Sequence, residues 1–262
     1  MTWNVPEPSP YTVEALLRGL NVLSLFNRER SALTLTEIVE ASGLNKSTAF
    51  RVVATLESAG YLERHLETRR YRPGLKVLQL GFTAISSLEF RQVARPHLVK
   101  LSEETGETVS LSILDGLEVV YVDRVRNRQI VGVVLGIGSR IPAHCASMGK
   151  VMLAHLKASE LESRLNRAQL NPCTEFSKIS RKQLDAELAN VRAQGFATNN
   201  EELEIGLRAV AAPIWDHNGQ VAAAINAAGS VRTISSERLH NQLARKVRAT
   251  ALQISQALGY EM

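Results

Sequence analysis

Hydrophobic residues recur every three or four positions through the first sixty residues and predict three short helices. The first is expected at 12–27, with its leucines on one stripe. The second, at about 36–42, would begin at Thr36 as its N-cap and end at Gly43, which tolerates a left-handed turn. The third, 45–58, would begin at Asn45 as its N-cap. It would pack through four residues at i, i+3, i+4 and i+7: Ala49, Val52, Val53 and Leu56.

Two short alternating segments follow the third helix, at 61–65 and 70–72, and they predict a β-hairpin. Three helices and a hairpin in this order are typical of a winged helix-turn-helix, which is mostly α-helical with the hairpin as its wing. A helix at 75–86 would then serve as a linker. A longer helix at 87–105 would be kinked or restarted at Pro96.

Beyond Gly106 the pattern changes, and strands and helices mix without a regular β–α–β alternation, which predicts an α+β domain. Strands are expected at 108–114, 119–125, 130–135, 207–215 and 221–228. Helices are expected at 145–156, 159–165, 180–194 and 235–258. The chain therefore divides into four expected segments: a disordered tail at 1–10, the winged helix-turn-helix at 11–74, a linker helix at 75–90 and the α+β domain at 91–262.

The amino-acid composition predicts where in the cell the protein acts and what kind of partner it binds. The formal charge of +5 on 262 residues suits an anionic partner. Cys145 and Cys173 are too far apart in sequence to suggest a disulfide framework or a zinc site, so no metal or cofactor is expected. Three prolines and no apolar run lie in 1–10, and no uncharged stretch reaches the ~20 residues of a membrane span. We therefore expect a cytoplasmic protein without a membrane partner.

The third helix carries the first candidate site. In a helix-turn-helix, this helix lies in the major groove of double-stranded DNA and presents its N-terminal residues to base edges. No carboxylate occurs between 45 and 56, and arginines cluster on the wing. Basic and hydroxyl side chains bind phosphates and base edges. The candidate DNA contacts are Asn45, Lys46, Ser47, Thr48, Arg51, Arg69, Arg70 and Arg72.

Two observations keep an alternative open at this stage. Residues 1–74 contain nine Lys and Arg against eight Asp and Glu, so this domain is hardly basic as a whole. Surface Lys and Arg are usually just solvated, and a small helical bundle can also be a protein-interaction module. The arrangement of the charges, rather than their number, favours DNA binding.

Three separate segments carry a resemblance to a known family. TLTEIVEASGLNKSTAFR at 34–51 resembles the DNA-binding motif of IclR-family bacterial transcription regulators. AHCASMGKVMLA at 143–154 resembles the effector-domain helix of that family, and NNEELEIGLRAVAAPI at 199–214 resembles its C-terminal signature. The match extends over about 11–260 in the right order. It implies a GAF-like effector-binding and oligomerisation domain after the winged helix.

The residues themselves suggest a small-ligand site only weakly. The helix predicted at 145–156 begins among small residues, and the free N–H groups of a helix N-terminus bind carboxylates. In the alternative interpretation, Ser147 only caps this helix, and Asn199 and Asn226 lie in turns. The resemblance implies a small organic acid as effector, and it implies contacts at Ile130, Val133, Ser147, Met148, Asn199, Ala209, Asn226 and Ala228.

The expected cavity residues differ from those of the founding member of the family, which senses short keto acids, so the same ligands are not expected here. That member has an aspartate matching Asn199, a cysteine matching Ala209 and serines matching Asn226 and Ala228. The segments 87–98 and 202–208 resemble the PcaR/PcaU/PobR branch, which implies aromatic or dicarboxylic acids of the β-ketoadipate route, such as 4-hydroxybenzoate, protocatechuate or β-ketoadipate. Arg124 or Arg140 would pair with such a carboxylate if it points inward, but the favoured interpretation is that both are solvated surface residues.

The remaining expectations concern partners and alternatives. One recognition helix covers few base pairs, so we expect a homodimer or homotetramer on an operator with paired half-sites, with 75–86 and the first helix as dimer surfaces. An architectural DNA binder without effector is one alternative. An enzyme is another, but His144 and Cys145 are adjacent and should point to different sides, which makes a poor catalytic pair.

Overall fold

The computed structural model of the chain describes residues 11–27, 30–126, 135–166 and 168–261. They form two compact units that divide between Ser87 and Leu88. The tail expected at 1–10 and nearly all of the strand expected at 130–135 lie outside the described residues.

The first unit has the predicted order of three helices, a hairpin and a fourth helix. Its elements are α1 Glu14–Ser24, α2 Leu35–Ser42, α3 Lys46–Ser58, β1 Leu62–Arg64, β2 Tyr71–Pro73 and α4 Leu75–Ser86. Strands β1 and β2 are antiparallel, and a further bridge joins Leu33 to Tyr71. One apolar cluster joins the three helices to the wing, and its buried members are Val22, Leu33, Ile38, Val53, Leu62 and Tyr71. The winged helix-turn-helix prediction is confirmed.

The caps of α2 and α3 decide where the turn between them lies. The prediction of Thr36 as the N-cap of α2 is wrong, because the cap is Thr34. Thr34 has an extended backbone, its hydroxyl accepts a hydrogen bond from the Glu37 amide at 3.3 Å, and the Glu37 carboxylate accepts from the Thr34 amide at 2.7 Å. This reciprocal pair is a capping box. Gly43 ends α2 with φ of +68°, as predicted.

The second unit is a single sheet with helices on both faces. Its helices are α5 Glu89–Thr105, α6 Ser147–Ala154, α7 Ala158–Leu165, α8 Arg181–Gln194, α9 Ser236–Arg238 and α10 Ala244–Ala257. A 3₁₀ turn, Ala143–Cys145, precedes α6, and a π-helical segment, Leu239–Leu243, joins α9 to α10. Its strands are β3 Thr108–Asp115, β4 Glu118–Val125, β5 Arg140–Pro142, β6 Ala197–Asn200, β7 Leu207–Trp215 and β8 Val221–Ser230.

The sheet is antiparallel throughout, in the order β5-β4-β3-β8-β7-β6. One face carries large side chains that pack on α5 and α10, and they include Val109, Leu111, Val210 and Ile225. The alternate residues face α6 and are small: Ser110, Ala209, Ala211, Ala224 and Ala228. Because successive side chains of a strand point to opposite faces, this alternation leaves space on the α6 side only.

Four elements of the structure differ from the prediction for local reasons. Strands β5 and β6 were not predicted, because three or four residues without apolar alternation give no periodic signal. The helix predicted at 145–156 is divided, since Ala146 is extended between the 3₁₀ turn and α6. The helix predicted at 235–258 has the π-helical segment inside it.

The capping box makes a testable prediction. Thr34→Ala should lower the stability of α2 by about 1 kcal/mol, which is roughly a fivefold faster amide exchange, because it removes the cap hydroxyl. Amide hydrogen exchange of α2 in the full chain measures this. Thr36→Ala is the matched control and should leave exchange unchanged or slower, because Thr36 is exposed in the first turn. The opposite ranking of the two variants would contradict the assignment.

Candidate functional site

The N-terminal half of α3 presents an exposed polar surface. Lys46, Ser47 and Arg51 are exposed, and Thr48 is half-buried. Asn45 caps the helix as predicted, because its side-chain oxygen accepts a hydrogen bond from the Thr48 amide at 2.9 Å. The opposite face is apolar, with Ala49 and Val53 fully buried. The predicted inward and outward faces of this helix are therefore confirmed.

The three wing arginines that were predicted to contact DNA have different surroundings. Arg70 forms a two-pronged ion pair with Glu37 of α2, with both N–O distances at 3.2 Å, and so joins the wing to the helix-turn-helix. Arg72 pairs with Glu63 on the neighbouring strand at 3.0 Å. Arg69 is exposed at the turn, with φ of +54°. Two of the wing arginines thus have carboxylate partners within their own domain, which reduces the positive charge of the wing.

A cavity lies between the N-terminal end of α6 and the small side chains of the sheet. The cavity has a volume of about 80 Å³ and is partly open to solvent. Six of the eight predicted effector contacts line it, namely Ser147, Met148, Asn199, Ala209, Asn226 and Ala228. The other two, Ile130 and Val133, lie outside the described residues. The structure therefore brings together residues from α6, β6, β7 and β8 that are far apart in sequence.

Three polar atoms in the wall of this cavity are buried and lack a hydrogen-bond partner among the described residues: Ser147 Oγ, Asn199 Oδ1 and Asn226 Oδ1. Native proteins satisfy the great majority of buried polar side-chain atoms. Three such atoms around one cavity therefore mark a place where a ligand or water supplies the missing bonds.

The N-terminus of α6 adds backbone donors to the same wall. Ala146 precedes the helix without a side-chain cap, and the first intrahelical bond is donated by the Lys150 amide to the Ala146 carbonyl. The amides of 147–149 thus have no carbonyl within the helix to bond. Met148 is held by the Ser112 hydroxyl, which donates to its sulfur at 3.0 Å. Such a helix end attracts a carboxylate.

Of the described residues that line the cavity, Arg124 and Glu204 carry charge. Arg124 lies over the Tyr121 ring at 5.9 Å, and burial raises the pKa of Tyr121 to about 12, so that phenol stays neutral. Arg140 is not among the described residues that line the cavity. Arg140 pairs instead with Asp115 at 2.6 Å and with Glu118 at 2.7 Å.

A buried ion cluster, which was not predicted from the sequence, joins α6 to α8 and to the segment after β6. Lys150 is fully buried, and its ammonium lies 2.7 Å from Glu202 and 3.0 Å from Glu187. Lys178 reaches the second oxygen of Glu187 at 2.6 Å. Burial raises the pKa of Glu187, but the charge of Lys150 outweighs it and holds that pKa below its ordinary value. The signal in the sequence was a lysine inside an otherwise apolar helix.

Gly149 permits the close contact of α6 with the 3₁₀ turn. A Cβ atom at this position would lie 2.2 Å from the Ala143 carbonyl oxygen, far inside van der Waals contact. The sequence segment SMG at the start of α6 is therefore a packing requirement as well as an opening for a ligand.

His144 and Cys145 do interact, contrary to the expectation that they point apart. Burial raises the pKa of the Cys145 thiol, but hydrogen bonds with His144 and Cys173 outweigh it and place the pKa below its ordinary value. The imidazole of His144 bonds the Asn171 carbonyl at 2.9 Å, and the Cys145 sulfur contacts the Ser177 hydroxyl at 3.7 Å. Neither residue is part of the described cavity lining.

Two further properties of the described residues bear on function. They contain no group of three or more His, Cys, Asp and Glu side chains that could hold a metal ion. Within the same ranges, no helix is both long and apolar enough to cross a membrane.

Comparison with known protein families agrees with both halves of the structure. The IclR helix-turn-helix domain matches residues 15–66, and the C-terminal domain of the bacterial transcriptional regulator IclR matches 82–256. The chain is 35% identical to the HTH-type transcriptional regulator XynR of Escherichia coli, over 95% of this chain and 98% of that protein. It is 32% identical to the Pca regulon regulatory protein of Pseudomonas putida, over 89% and 80%.

Solved structures show the same architecture. A transcriptional regulator from Rhodococcus sp. RHA1 matches with a TM-score of 0.81 and 39% identity, over 94% of this chain and 98% of that one. An IclR homolog of Microbacterium hydrocarbonoxydans, solved with 4-hydroxybenzoate, matches with a TM-score of 0.82 and 27% identity, over 93% and 98%.

A winged helix-turn-helix followed by a separate domain with a cavity is the architecture of the matched families, which are ligand-responsive, DNA-binding transcription regulators rather than enzymes. The chain belongs to the IclR family of bacterial transcription regulators.

The close packing at α6 makes a testable prediction. Gly149→Ala should lower the free energy of unfolding of the second domain by about 1–3 kcal/mol, because the added methyl group overlaps the Ala143 carbonyl. Thermal unfolding of the full chain, followed by circular dichroism, measures this. Gly19→Ala in α1 is the control, since nothing lies within 4 Å of a Cβ there. Equal stability of Gly149→Ala and the wild type would mean that α6 does not pack as described.

Proposed function

We propose that this regulator controls aromatic-acid catabolism through the β-ketoadipate pathway, acting in the cytoplasm on a small aromatic or dicarboxylic acid. The single observation that carries the effector proposal is the cavity wall that combines the free amides of α6 with three unpartnered polar atoms. Arg124 in the same lining supplies a positive charge for a carboxylate. A relative named as the Pca regulon regulatory protein and a homolog solved with 4-hydroxybenzoate support the aromatic assignment.

A second candidate is a regulator of a different small-carboxylate pathway. The chain is 35% identical to XynR and 32% identical to the Pca regulon protein. Sequence identity alone therefore does not decide between the aromatic-acid pathway and another small-carboxylate pathway. An architectural DNA binder without effector explains neither the cavity nor its unpartnered polar atoms.

On the DNA side, we place the exposed end of α3 in the major groove. Lys46, Ser47, Thr48 and Arg51 then meet bases and phosphates, with Asn45 holding the helix start as its cap. Arg69 at the turn of the wing is exposed to the backbone of the duplex. Arg70 and Arg72 remain candidate contacts at the wing, with Glu37 and Glu63 as their partners in the free protein.

The recognition helix can be tested by substitution. Arg51→Ala should weaken binding to the upstream intergenic operator by about tenfold or more at fixed salt, since one arginine–guanine contact contributes about 1–3 kcal/mol. Fluorescence anisotropy with the operator duplex and a scrambled duplex measures this. Arg30→Ala is the control, because it removes the same charge elsewhere in the unit. Unchanged operator affinity in Arg51→Ala would show that the recognition helix is misplaced.

Assembly as a homodimer or homotetramer is part of the proposal. Helix α4 has no buried residue, and its exposed apolar side chains are Leu75, Leu78, Leu80 and Phe82. Exposed Leu16 and Leu20 lie on α1. Exposed large apolar side chains that recur along one helix favour an interaction site. A second copy of the chain fits because paired half-sites require two recognition helices in a fixed spacing.

The effector proposal predicts binding of an aromatic acid. Protocatechuate, 4-hydroxybenzoate or β-ketoadipate should raise the melting temperature of the full chain and change its operator affinity, because a ligand that binds one arrangement better shifts the population towards it. Differential scanning fluorimetry and anisotropy measure the two effects. The control ligand 4-hydroxybenzamide lacks the carboxylate and should do neither. Failure of all three acids would overturn the aromatic-acid assignment.

A further inference from the structure

We infer that the effector is a monocarboxylate with at least two hydroxyl groups, rather than a dicarboxylate. The inference rests on the proposed role of the cavity as the effector site and names the chemistry of its ligand. It follows from which atoms of the wall lack a partner and from the charges of the wall.

Asn199 supplies the first half of the argument. Its amide nitrogen donates to the Cys145 carbonyl oxygen, and this bond fixes which way the amide is oriented. The oxygen Oδ1 is then the unpartnered atom, and Asn199 is 1% exposed. An amide oxygen only accepts hydrogen bonds. A ligand that takes the place of water at this position must therefore bring a donor.

Asn226 repeats the requirement on the neighbouring part of the sheet. Its Oδ1 is also buried and unpartnered among the described residues, and the residue is 5% exposed. It pairs in register with Ser110 of β3, which lines the cavity as well. A carboxylate at neutral pH has acceptors and no donor, so it satisfies neither asparagine oxygen. Hydroxyl groups satisfy both.

The charges of the wall lead to the same class of ligand. Among the described lining residues, Arg124 is the positive side chain and Glu204 the negative one. The backbone amides at the start of α6 and Arg124 accommodate one carboxylate. A second carboxylate would meet the Glu204 side chain or one of the asparagine oxygens, and both repel it. A hydroxyl group is attracted to each of these acceptors.

Isothermal titration of the full chain with matched acids tests the inference. The aromatic series begins with benzoate, which has no hydroxyl group, 4-hydroxybenzoate, which has one, and protocatechuate, which has two. Terephthalate completes the series, with a second carboxylate in place of a hydroxyl group. The aliphatic pair is gluconate and adipate, which separates a sugar-acid source from an aromatic one. Affinity should rise about tenfold with each hydroxyl group, and the two dicarboxylates should bind no more tightly than benzoate.

A substitution checks that the asparagine oxygen makes the distinction. Asn226→Leu should weaken binding of the preferred hydroxy acid about tenfold and leave benzoate unchanged, because it replaces the acceptor with an apolar group of similar size. Asn241→Leu at an exposed position is the matched control. Unchanged circular dichroism and operator affinity show that the variant is folded. If Asn226→Leu does not fold, the wild-type ligand series decides alone.

The outcomes separate this inference from the proposed function. Tighter binding of terephthalate or adipate than of the hydroxy acids would overturn the inference and leave a small-acid regulator standing. Equal affinity for benzoate and protocatechuate would overturn it as well. Binding of none of the acids would remove both the effector cavity and the inference that rests on it.

Discussion

The fully buried ammonium of Lys150 is the interaction on which the second domain depends. A buried charge without partners is far too costly to retain, so α8 and the segment after β6 must bring Glu187 and Glu202 to it. Those contacts hold α6 in one position and orientation. The close approach of Gly149 to the Ala143 carbonyl then sets the start of the helix against the 3₁₀ turn. As a result, the start of α6 lines the cavity together with residues of the sheet.

The alternation of side-chain size in the sheet turns this position into a cavity. Val109, Leu111 and Ile225 fill the side that packs on α5 and α10, while alanines and serines occupy the α6 side. A sheet with large residues on both faces would close the space below the helix. The cavity is thus a consequence of a strand pattern and a buried ion cluster, and its polar groups are held by elements that are themselves rigid. A ligand bound in such a cavity contacts several elements of the domain at once, which is required if its binding is to influence the binding of DNA.

Sequence patterns predicted the elements with a strong period and a clear cap. The hydrophobic spacing of α3, its Asn45 cap and the Gly43 stop all follow from local chemistry, and the structure confirms them. Thr34 rather than Thr36 caps α2 because Glu37 stands three residues after Thr34 and bonds back to its amide, whereas Val39 stands at the same distance from Thr36. This Thr-x-x-Glu spacing was present in the sequence and was the signal that the prediction overlooked. Strands β5 and β6 are too short to give a period. The six cavity residues in the described ranges came from resemblance to a family, since spacing in sequence does not show that β6, β7, β8 and α6 meet. The Lys150 cluster and the ion pairs of Arg70 and Arg140 also depend on contacts between distant segments.

A crystal structure of the full chain grown with protocatechuate tests most directly whether the cavity beside α6 is the effector site. We predict ligand density in that cavity, with the carboxylate at the amides of 147–149 and the two hydroxyl groups within hydrogen-bond distance of Asn199 Oδ1 and Asn226 Oδ1. An empty cavity at saturating ligand, or density for the acid at a different place on the domain, would contradict this account.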